Sequence, residues 1–404
     1  MSKQAKQEIL EAILNRYRYA SKKEKQSILD EFCHLCGYHR KYAIRLLQSK
    51  LLPSHKKKHS THLPVGRPKQ YDEPELLEFL TRLWQATNLA CAKRLHAIIP
   101  LWLPFYDRAV KGHTIDLLMR ISPATIDRSL RPLRTRYSKC GLATTKPGSL
   151  LKKHVPIKTN QWDERTPGFL EADTVAHCGS SVAGMFVYTV NITDIATGWT
   201  EQRAVWGKGE QGVFQAIQSI EQHLPFRVRG FDCDNGSEFL NWSLLKYFTH
   251  RRRPVHYTRS REYCKNDNAH IEEKNWTHVR QYLGYQRFED KRITSLLNDL
   301  YTNEWRLLMN FFLPQAKLLA KERIGSKTIK KHDRPQTPLQ RLLAHPSISP
   351  KVKRQLQKQL STLDPFSLQK QIKSNITMIL RLASPLPRMS SVVATVTEKS
   401  YHLA

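Results

Sequence analysis

Hydrophobic and polar residues alternate with a period of two in three segments near the middle of the chain. The segments are Phe169–Ala176, Met185–Ile195 and Trp199–Trp206, and they are rich in Val, Thr, Tyr and Phe. Such alternation is typical of β-strands that bury one face. Short glycine-containing stretches separate the segments. We therefore predict three consecutive antiparallel strands joined by tight turns.

After these segments the pattern alternates between helical spacing and short apolar runs. Apolar residues recur at helical spacing over Glu210–His223, over Glu238–His250 and from about residue 267 to residue 284. Short apolar runs at Val228–Cys233 and Val255–Thr258 predict two further strands. The order of three strands, helix, strand, helix, strand and helix predicts a mixed α/β unit with five strands.

The first fifty residues have helical periodicity with one interruption. Ile28, Leu29, Phe32 and Leu35 recur at helical spacing, and the pattern resumes from Tyr42 after Gly37. A helix, a glycine turn and a second helix that carries Arg40, Lys41 and Arg45 match a helix-turn-helix motif. An ordinary helical hairpin with a solvated basic face matches equally well.

A second helical block runs from Glu75 to about Leu133. Its clearest element follows Ser122, a candidate N-cap, and Pro123, which suits the first helical position. Arg128 and Arg131 lie off the apolar face of this helix, which makes it the better candidate for a recognition helix. After residue 291 the chain is predicted to be basic and mainly helical as far as Leu382.

Net charge divides along the chain in the same way as these patterns. The 404 residues contain 66 Lys and Arg against 35 Asp and Glu, a net charge of +31. Residues 1–160 carry +19, residues 161–290 carry −2, and residues 291–404 carry +14. Strongly basic flanks predict a polyanionic partner, of which nucleic acid is the first candidate. An acidic centre between them predicts a place where carboxylates hold cations.

Composition excludes several other classes of protein. No apolar stretch is long enough to span a membrane, and the first ten residues lack the apolar core of a secretory signal. Seven scattered cysteines favour reduced thiols over a disulfide scaffold. We therefore expect a cytoplasmic, nucleoid-associated protein that does not bind membranes.

Three acidic residues fall where neighbouring elements of the α/β unit could bring them together. Asp173 lies within the first predicted strand, Asp234 follows the fourth strand, and Glu272 lies in the first turns of the last helix. An unpaired carboxylate among buried neighbours, as at Asp173, is costly. Clustered carboxylates supply the hard oxygen ligands that Mg²⁺ and Mn²⁺ prefer. Two such ions about 4 Å apart support in-line phosphoryl transfer.

These residues and the motifs around them resemble the DDE signature of bacterial insertion-sequence transposases, whose catalytic core is similar to that of retroviral integrases. Asp234-Asn235-Gly236 with Glu238-Phe239 resembles the "DNGxEF" strand end, and Ile271-Glu272 with Asn275 resembles the "VExxN" helix. The resemblance covers about residues 165–290. It implies a ribonuclease-H-like fold in which Asp173, Asp234 and Glu272 are both the catalytic residues and the metal ligands.

Two of these three assignments have a competing neighbour. Asp232 lies two residues before Asp234, but the Asn-Gly turn of the motif follows Asp234. Glu273 is adjacent to Glu272, and a single helical step rotates a side chain by about 100°, so only one of the two can face the site. The spacing to Asn275 favours Glu272.

Basic residues that precede and follow Glu272 are expected to contact DNA. Six lie within fifteen positions between Arg251 and Lys265, with tyrosines interleaved, although a solvated loop is the commoner explanation of a charge run. The residues predicted to contact DNA, including those of the second helical block, are Arg259, Arg261, Lys265, Lys274, Asn275, Arg128 and Arg131.

The resemblance implies a transposase that cleaves transposon ends and joins the resulting 3′-hydroxyl to target DNA. It also implies two Mg²⁺ ions per site, with Mn²⁺ able to substitute, and double-stranded DNA as the partner, at transposon terminal inverted repeats and at target sites. Two ends must be held together, so we expect at least a homodimer on DNA. The alternatives are a ribonuclease-H-like endonuclease without strand transfer and a non-catalytic DNA-binding regulator.

The predicted segments follow from these patterns. They are a helix-turn-helix-like DNA-binding region (residues 1–52), a basic linker (53–74), a second helical DNA-binding region (75–137), a second basic linker (138–160), the ribonuclease-H-like integrase core (161–290) and a basic C-terminal region (291–404).

Two other motifs are rejected on their context. Gly207, Gly209 and Gly212 form a G-x-G-x-x-G sequence, but the preceding strand is polar and alternating, whereas a dinucleotide site follows a buried parallel strand. Cys33 and Cys36 with His55 and His59 suggest a zinc finger, but the gap of 18 residues exceeds the usual ~12–15.

Overall fold

A computed structural model of the chain describes residues 2–51, 70–134, 164–260, 269–324 and 327–383. The chain divides into two compact units, Met1–Lys69 and Gln70–Ala404.

The first unit is a bundle of three helices. They are α1 (Lys3–Tyr19), α2 (Lys22–Cys36) and α3 (Arg40–Leu51). Ser21 and Glu24 form a capping box at the start of α2, and Gly37 ends this helix with a φ of +65°. Phe32 and Leu47 are fully buried at the centre of the bundle, which confirms a helical region. Leu35 is 46% exposed, so the prediction that it belongs to the apolar face was wrong.

The cysteines of the rejected zinc motif have a structural role in this bundle. Cys36 is buried in the core of the first unit, and Cys33 packs against that core. His55 and His59 lie outside the described residues.

The second unit begins with four helices: α4 (Pro74–Ala86), α5 (Ala92–Trp102), α6 (Gly112–Arg120) and α7 (Pro123–Arg134). Ser122 caps α7 as predicted, since its Oγ accepts a hydrogen bond from the Thr125 N–H at 3.2 Å. Trp102 is fully buried, and its Nε1 donates to the Phe312 carbonyl at 3.1 Å. These helices therefore share one hydrophobic core with the C-terminal part of the chain.

The centre of the second unit is a five-stranded mixed sheet with the order β3-β2-β1-β4-β5. The strands are β1 (Phe169–Ala176), β2 (Val187–Asp194), β3 (Thr200–Trp206), β4 (Gly230–Cys233) and β5 (His256–Arg259). β1, β2 and β3 pair antiparallel, and β1, β4 and β5 pair parallel. This order and these directions are those of the ribonuclease-H-like fold, and the predicted fold class is confirmed. The strand that precedes the G-x-G-x-x-G sequence, β3, is an antiparallel edge strand, and Gly207 forms a turn after it with a φ of +71°. A dinucleotide site would need a buried parallel strand at this place, so the structure agrees with its rejection.

The two faces of this sheet differ in chemistry. Helices α8 (Glu210–His223) and α9 (Trp242–Thr249) cover one face through apolar residues such as Ile217 and Phe248. The other face is covered by α10 (Ala269–Lys274), by the π-helical turns that follow it and by α12 (Arg292–Leu300). Between them, α11 (Gln281–Leu283) continues the π-helical turns. Polar side chains of the strands are buried under this second face: Glu171, Thr189, Asn191, Thr193, Thr200, Gln202 and Asp232.

The C-terminal part of the chain is mainly helical, with one departure from the predicted pattern. π-helical turns at Tyr301–Trp305 and Leu308–Phe312 extend α12. The helices α13 (Pro338–Ala344), α14 (Pro350–Leu360) and α15 (Pro365–Leu382) follow after a two-stranded antiparallel sheet. The strands of that sheet are β6 (Leu318–Ile324) and β7 (Lys327–His332), a hairpin that the prediction of a mainly helical region did not include. Six of the seven residues of β6, all except Ile324, are helix formers, which hid the hairpin.

Across the described ranges, the structure contains no helix of the length and hydropathy needed to cross a membrane.

Candidate active site

Asp173 within β1 and Asp234 immediately after the end of β4 lie side by side, since these two strands are parallel neighbours. Ala172 of β1 pairs with Cys233 of β4 in the strand register, and each aspartate is the next residue along its strand. Successive side chains of a strand point to opposite faces of the sheet, so both carboxylates leave the apolar face that contains Ala172 and Cys233. Both aspartates are partly buried.

The pKa values of these two carboxyl groups are raised by burial and by their proximity to other charges. Burial raises the pKa of Asp173 well above its usual range, and the charge of Asp234 raises it further. Burial also raises the pKa of Asp234. Backbone N–H groups offset part of this cost: Thr174 donates to Asp173 Oδ1 at 2.7 Å, and Gly236 donates to Asp234 Oδ1 at 2.9 Å. Carboxylates in such a place hold their negative charge best when a cation lies between them.

Glu272 approaches this pair from α10. It lies in the first turn of that helix, its side chain is exposed, and its charge raises the pKa of Asp173. Glu273 is also exposed, but its Oε1 lies 3.6 Å from the Lys274 ammonium. Of the two neighbours, Glu272 is therefore the one whose charge acts on Asp173.

Asp232 lies deeper beneath the same face of the sheet than Asp234. It is only 3% exposed, it pairs with Glu171 in the strand register, and its Oδ1 accepts a hydrogen bond from Thr258 Oγ1. Asp234 lies beyond the end of β4, where it is more accessible. The geometry thus favours Asp234 over Asp232 for contact with a substrate.

A chain of side-chain amides runs across the sheet to Asp173. Gln202 Nε2 donates to Asn191 Oδ1 at 3.2 Å, and Asn191 Nδ2 donates to Asn275 Oδ1 at 2.8 Å. Asn275 Nδ2 then donates to Asp173 Oδ2 at 2.6 Å. Asn191 and Asn275 each accept one hydrogen bond and donate the next, so the orientation of the Asp173 carboxylate follows from the chain. The sequence analysis missed Asn191 and Gln202, because each is one of several polar residues in its strand and nothing in the sequence distinguishes it from the others.

Glu171 attaches α10 to β1. Its side chain is fully buried, and its Oε2 accepts a hydrogen bond from the Ile271 N–H at 3.0 Å. Burial raises the pKa of Glu171 to about 8, and the backbone hydrogen bonds from Ile271 and His270 act against this rise. The carboxyl group therefore satisfies backbone donors in the first turn of the helix that carries Glu272.

Glu238 is a fourth carboxylate beside the pair, and the sequence analysis did not assign it a role beyond its motif. It is 4% exposed, its Oε1 accepts from Thr174 Oγ1 at 3.2 Å, and its Oε2 lies 3.8 Å from Lys208 Nζ. A Cβ atom on Gly236 would lie 2.7 Å from Glu238 Oε2 and 2.9 Å from Asp234 Oδ1. Only glycine therefore lets these two acidic side chains approach the turn so closely.

Several residues predicted to contact DNA point into the protein. Arg259 is 7% exposed and its Nη1 donates to Asn235 Oδ1 at 3.1 Å, while Lys274 is 5% exposed and lies beside Glu273. The Asn275 amide is bonded to Asp173 and Asn191. Arg259 and Lys274 are buried and the Asn275 amide is bonded within the site, so none of the three has an exposed side chain, and their contact with DNA stays a prediction.

The remaining predicted DNA contacts are on the surface or outside the described ranges. Arg128 and Arg131 are exposed on α7, and Arg128 Nη2 donates to Thr125 Oγ1 at 3.1 Å. Arg261 and Lys265 lie outside the described residues. For all four, DNA contact stays a prediction.

The chemistry of the paired carboxylates fits a hard divalent cation. Asp173 and Asp234 present oxygen donors on adjacent strands, and their mutual repulsion is what a cation would relieve. Within the described parts of the chain, however, no three acidic, histidine or cysteine side chains converge closely enough to hold one ion together. Glu272 is therefore near the pair but not part of a closed three-carboxylate group.

Comparison with known proteins gives one relative of substantial identity. The chain is 38% identical over 342 residues to the uncharacterized protein y4rM of Sinorhizobium fredii (strain NBRC 101917 / NGR234), and the match covers 83% of this chain and 94% of the relative. No family model matches the chain.

Two solved structures show distant similarity. The first is the simian T-cell lymphotropic virus intasome in complex with the PP2A regulatory subunit B56 gamma, at 12% identity and a TM-score of 0.32 over 64% of this chain and 76% of that chain. The second is the catalytic core domain of BIV integrase, at 14% identity and a TM-score of 0.26 over 43% of this chain and 91% of that chain. On the strength of its identity to y4rM over most of both sequences, this chain belongs to the same protein family as y4rM of Sinorhizobium fredii.

Proposed function

We propose that this protein is a DDE-type transposase, which cleaves DNA at transposon ends and transfers the resulting 3′-hydroxyl to target DNA. The observation that carries the proposal is the pair Asp173 and Asp234, which lies on adjacent parallel strands of a ribonuclease-H-like sheet and is partly buried. This pair lies in the segment of the chain with a net charge of −2, between segments of +19 and +14. Such a distribution suits an enzyme whose basic flanks bind DNA and whose acidic centre binds the metal ions that contact the reacting phosphoryl group.

Asp173 and Asp234 would hold Mg²⁺, or Mn²⁺ in its place, and Glu272 would join them from α10. When bound, two such ions activate an attacking water or hydroxyl and stabilise the leaving oxygen. Asn275 donates to one oxygen of Asp173 and the Thr174 N–H donates to the other, so the orientation of this carboxylate is fixed. Glu171 holds the start of α10, which sets the position of Glu272.

Double-stranded DNA is the proposed partner. The exposed Arg128 and Arg131 on α7 follow a short turn after α6, an arrangement suited to a helix in the major groove of a terminal inverted repeat. In the first unit, α2 and α3 form a second helical pair joined at Gly37, with the same proposed use. Since two transposon ends react together, the active form would be at least a dimer on DNA.

The test uses the full-length protein with Mg²⁺ or Mn²⁺ and labelled duplexes that carry the inverted repeats flanking its coding region. Wild-type protein should cut these ends and join them to a second duplex. Asp173→Asn should lower both rates by at least ~10²–10³-fold, the usual effect of removing one preorganised electrostatic group, and should leave end binding intact. Asp299→Asn makes the same chemical change at an exposed position on α12 and should be neutral.

Each alternative gives a different result in this assay. Cutting without joining by the wild-type protein would establish an endonuclease. End binding without any chemistry would establish a regulator. Full activity of Asp173→Asn would show that the proposed site is wrong.

A further inference from the structure

Among the side chains that the structure describes, those from Leu319 onward in β6 and from Ile329 onward in β7 are exposed. Leu319 is 62% exposed and Ile329 is 53% exposed, and Lys330, Lys331 and His332 are also exposed. Adjacent residues of a strand point to opposite faces, so neither face of this ribbon packs against the protein at these positions. A two-stranded ribbon without a packed face is only marginally stable by itself. Contact with a binding partner would stabilise it.

The base of the ribbon, in contrast, is firmly attached. Gln315 and Gln336 exchange backbone hydrogen bonds of 2.8 and 3.1 Å. The Lys317 N–H donates to Asp333 Oδ1 at 2.6 Å, and Asp333 Oδ2 accepts from Arg341 Nη1 of α13 at 2.6 Å. The ribbon therefore leaves the second unit in a defined direction.

This base is attached to the central sheet. The Lys317 ammonium donates to the Ala196 carbonyl at 2.8 Å. Ala196 lies just after β2, the strand that pairs with β1 of Asp173. The ribbon therefore begins at the sheet that carries the candidate active site.

The charge of the ribbon identifies the kind of partner. Its two strands contain five Lys and Arg residues against one acid, Glu322. Lys330 and Lys331 are consecutive, exposed residues of β7, and their like charges repel each other. A polyanion would relieve this repulsion. A second copy of the chain, with its net charge of +31, would add to it.

We propose that the β6–β7 ribbon binds the sugar–phosphate backbone of the DNA that enters the site of Asp173 and Asp234. The proposal rests on the proposed function for the identity of that DNA as a substrate. The ribbon would act as a sequence-independent arm, since lysines contact phosphates as point charges and Leu319 and Ile329 offer apolar contact to the sugars.

The test compares two double variants of the full-length protein. Lys330→Ala with Lys331→Ala removes two exposed charges from β7, and Lys351→Ala with Lys358→Ala removes two exposed charges from α14 as a matched control. Affinity for a fluorescein-labelled 30-base-pair duplex of arbitrary sequence is measured by anisotropy at several salt concentrations. Each lost phosphate contact should reduce the magnitude of the slope of log K against log [salt] by about 0.9. The ribbon variant should therefore have a slope smaller in magnitude by about 0.9–1.8, and the control variant should keep the wild-type slope.

The outcomes separate this proposal from the proposed function. Equal slopes for the two variants and the wild-type protein would overturn the ribbon proposal even if the wild-type protein cuts and joins DNA. A reduced slope in the ribbon variant alone would support it even if the wild-type protein performs no chemistry. A change of oligomeric mass by light scattering with an unchanged slope would assign the ribbon to contact between copies, and an absence of DNA binding by the wild-type protein would overturn both proposals.

Discussion

The side-chain amide of Asn275 donates a hydrogen bond of 2.6 Å to Asp173, across 102 residues of sequence. Asn275 begins the π-helical turns that follow α10, and Asp173 lies within β1. The bond therefore joins the helix that carries Glu272 to the strand that carries the first aspartate. It also gives Asn275 a position inside the site, where the sequence analysis had expected a contact with DNA.

Removal of this bond should slow the reaction without weakening DNA binding. Asn275→Ala should lower the rate of end cleavage by about 10–100-fold, the usual cost of losing a partner of a ligating carboxylate. Asn275→Asp should be more damaging, because a third carboxylate would face Asp173. Cleavage rates and anisotropy on the same end duplex check this. Weaker binding at an unchanged rate at saturation would instead restore Asn275 as a DNA contact.

Glu272 and Glu273 provide a matched pair of substitutions. Glu272→Gln should lower cleavage by at least ~10²-fold, because it removes a charge that acts at Asp173. Glu273→Gln should change the rate by less than a few-fold, since its carboxylate lies beside Lys274. The two variants alter the same functional group one residue apart and have similar exposure. Equal effects of the two changes would contradict the assignment of Glu272.

Glu171 offers a test of how α10 is held. Glu171→Gln keeps an oxygen that can accept from the Ile271 N–H, whereas Glu171→Leu leaves that buried donor without its acceptor at a cost of about 1–3 kcal/mol. Glu171→Leu should therefore lower cleavage more than Glu171→Gln, and the Gln variant should recover most of the activity. Cleavage rates are compared with circular dichroism spectra to confirm folding. Equal loss in both folded variants would show that the carboxyl group does more than cap the helix.

His177 should make the protein less stable in acid. It is fully buried against Phe288, its ring nitrogen Nε2 lies 2.9 Å from Thr189 Oγ1, and burial lowers its pKa to about 3. Because the unfolded chain binds a proton near the ordinary pKa of 6.5 and the folded chain does not, the folded state loses stability as the pH falls below 6.5.

Urea denaturation at pH 7 and pH 5 measures this contribution. The wild-type free energy of unfolding should fall by about 2 kcal/mol more than that of His177→Gln between pH 7 and pH 5. This difference is the free energy of the proton that the His177 imidazole binds when the protein unfolds. Other titrating groups are common to both proteins and cancel in the difference. An identical fall in both would mean that His177 is protonated in the folded state.

Local patterns were enough to predict the sheet. β1 occupies the predicted range Phe169–Ala176, and α8 occupies Glu210–His223, because alternating and helical spacing directly reflect burial on one face. The N-cap at Ser122 was likewise predictable from neighbouring residues alone. The β6–β7 hairpin was missed, since its described side chains from Leu319 and from Ile329 onward are exposed and so no periodic apolar signal marks it.

The sequence by itself determined the order of strands and helices within the α/β unit, the acidic centre between basic flanks, and the choice of Asp173, Asp234 and Glu272 as candidate site residues. These follow from residue type and spacing along the chain. Only the tertiary structure decided which side chains meet, such as Asn275 with Asp173 and Glu171 with the start of α10. The physical reason is that these contacts join residues far apart in sequence, and spacing along a chain specifies which face a residue occupies but not what packs against that face.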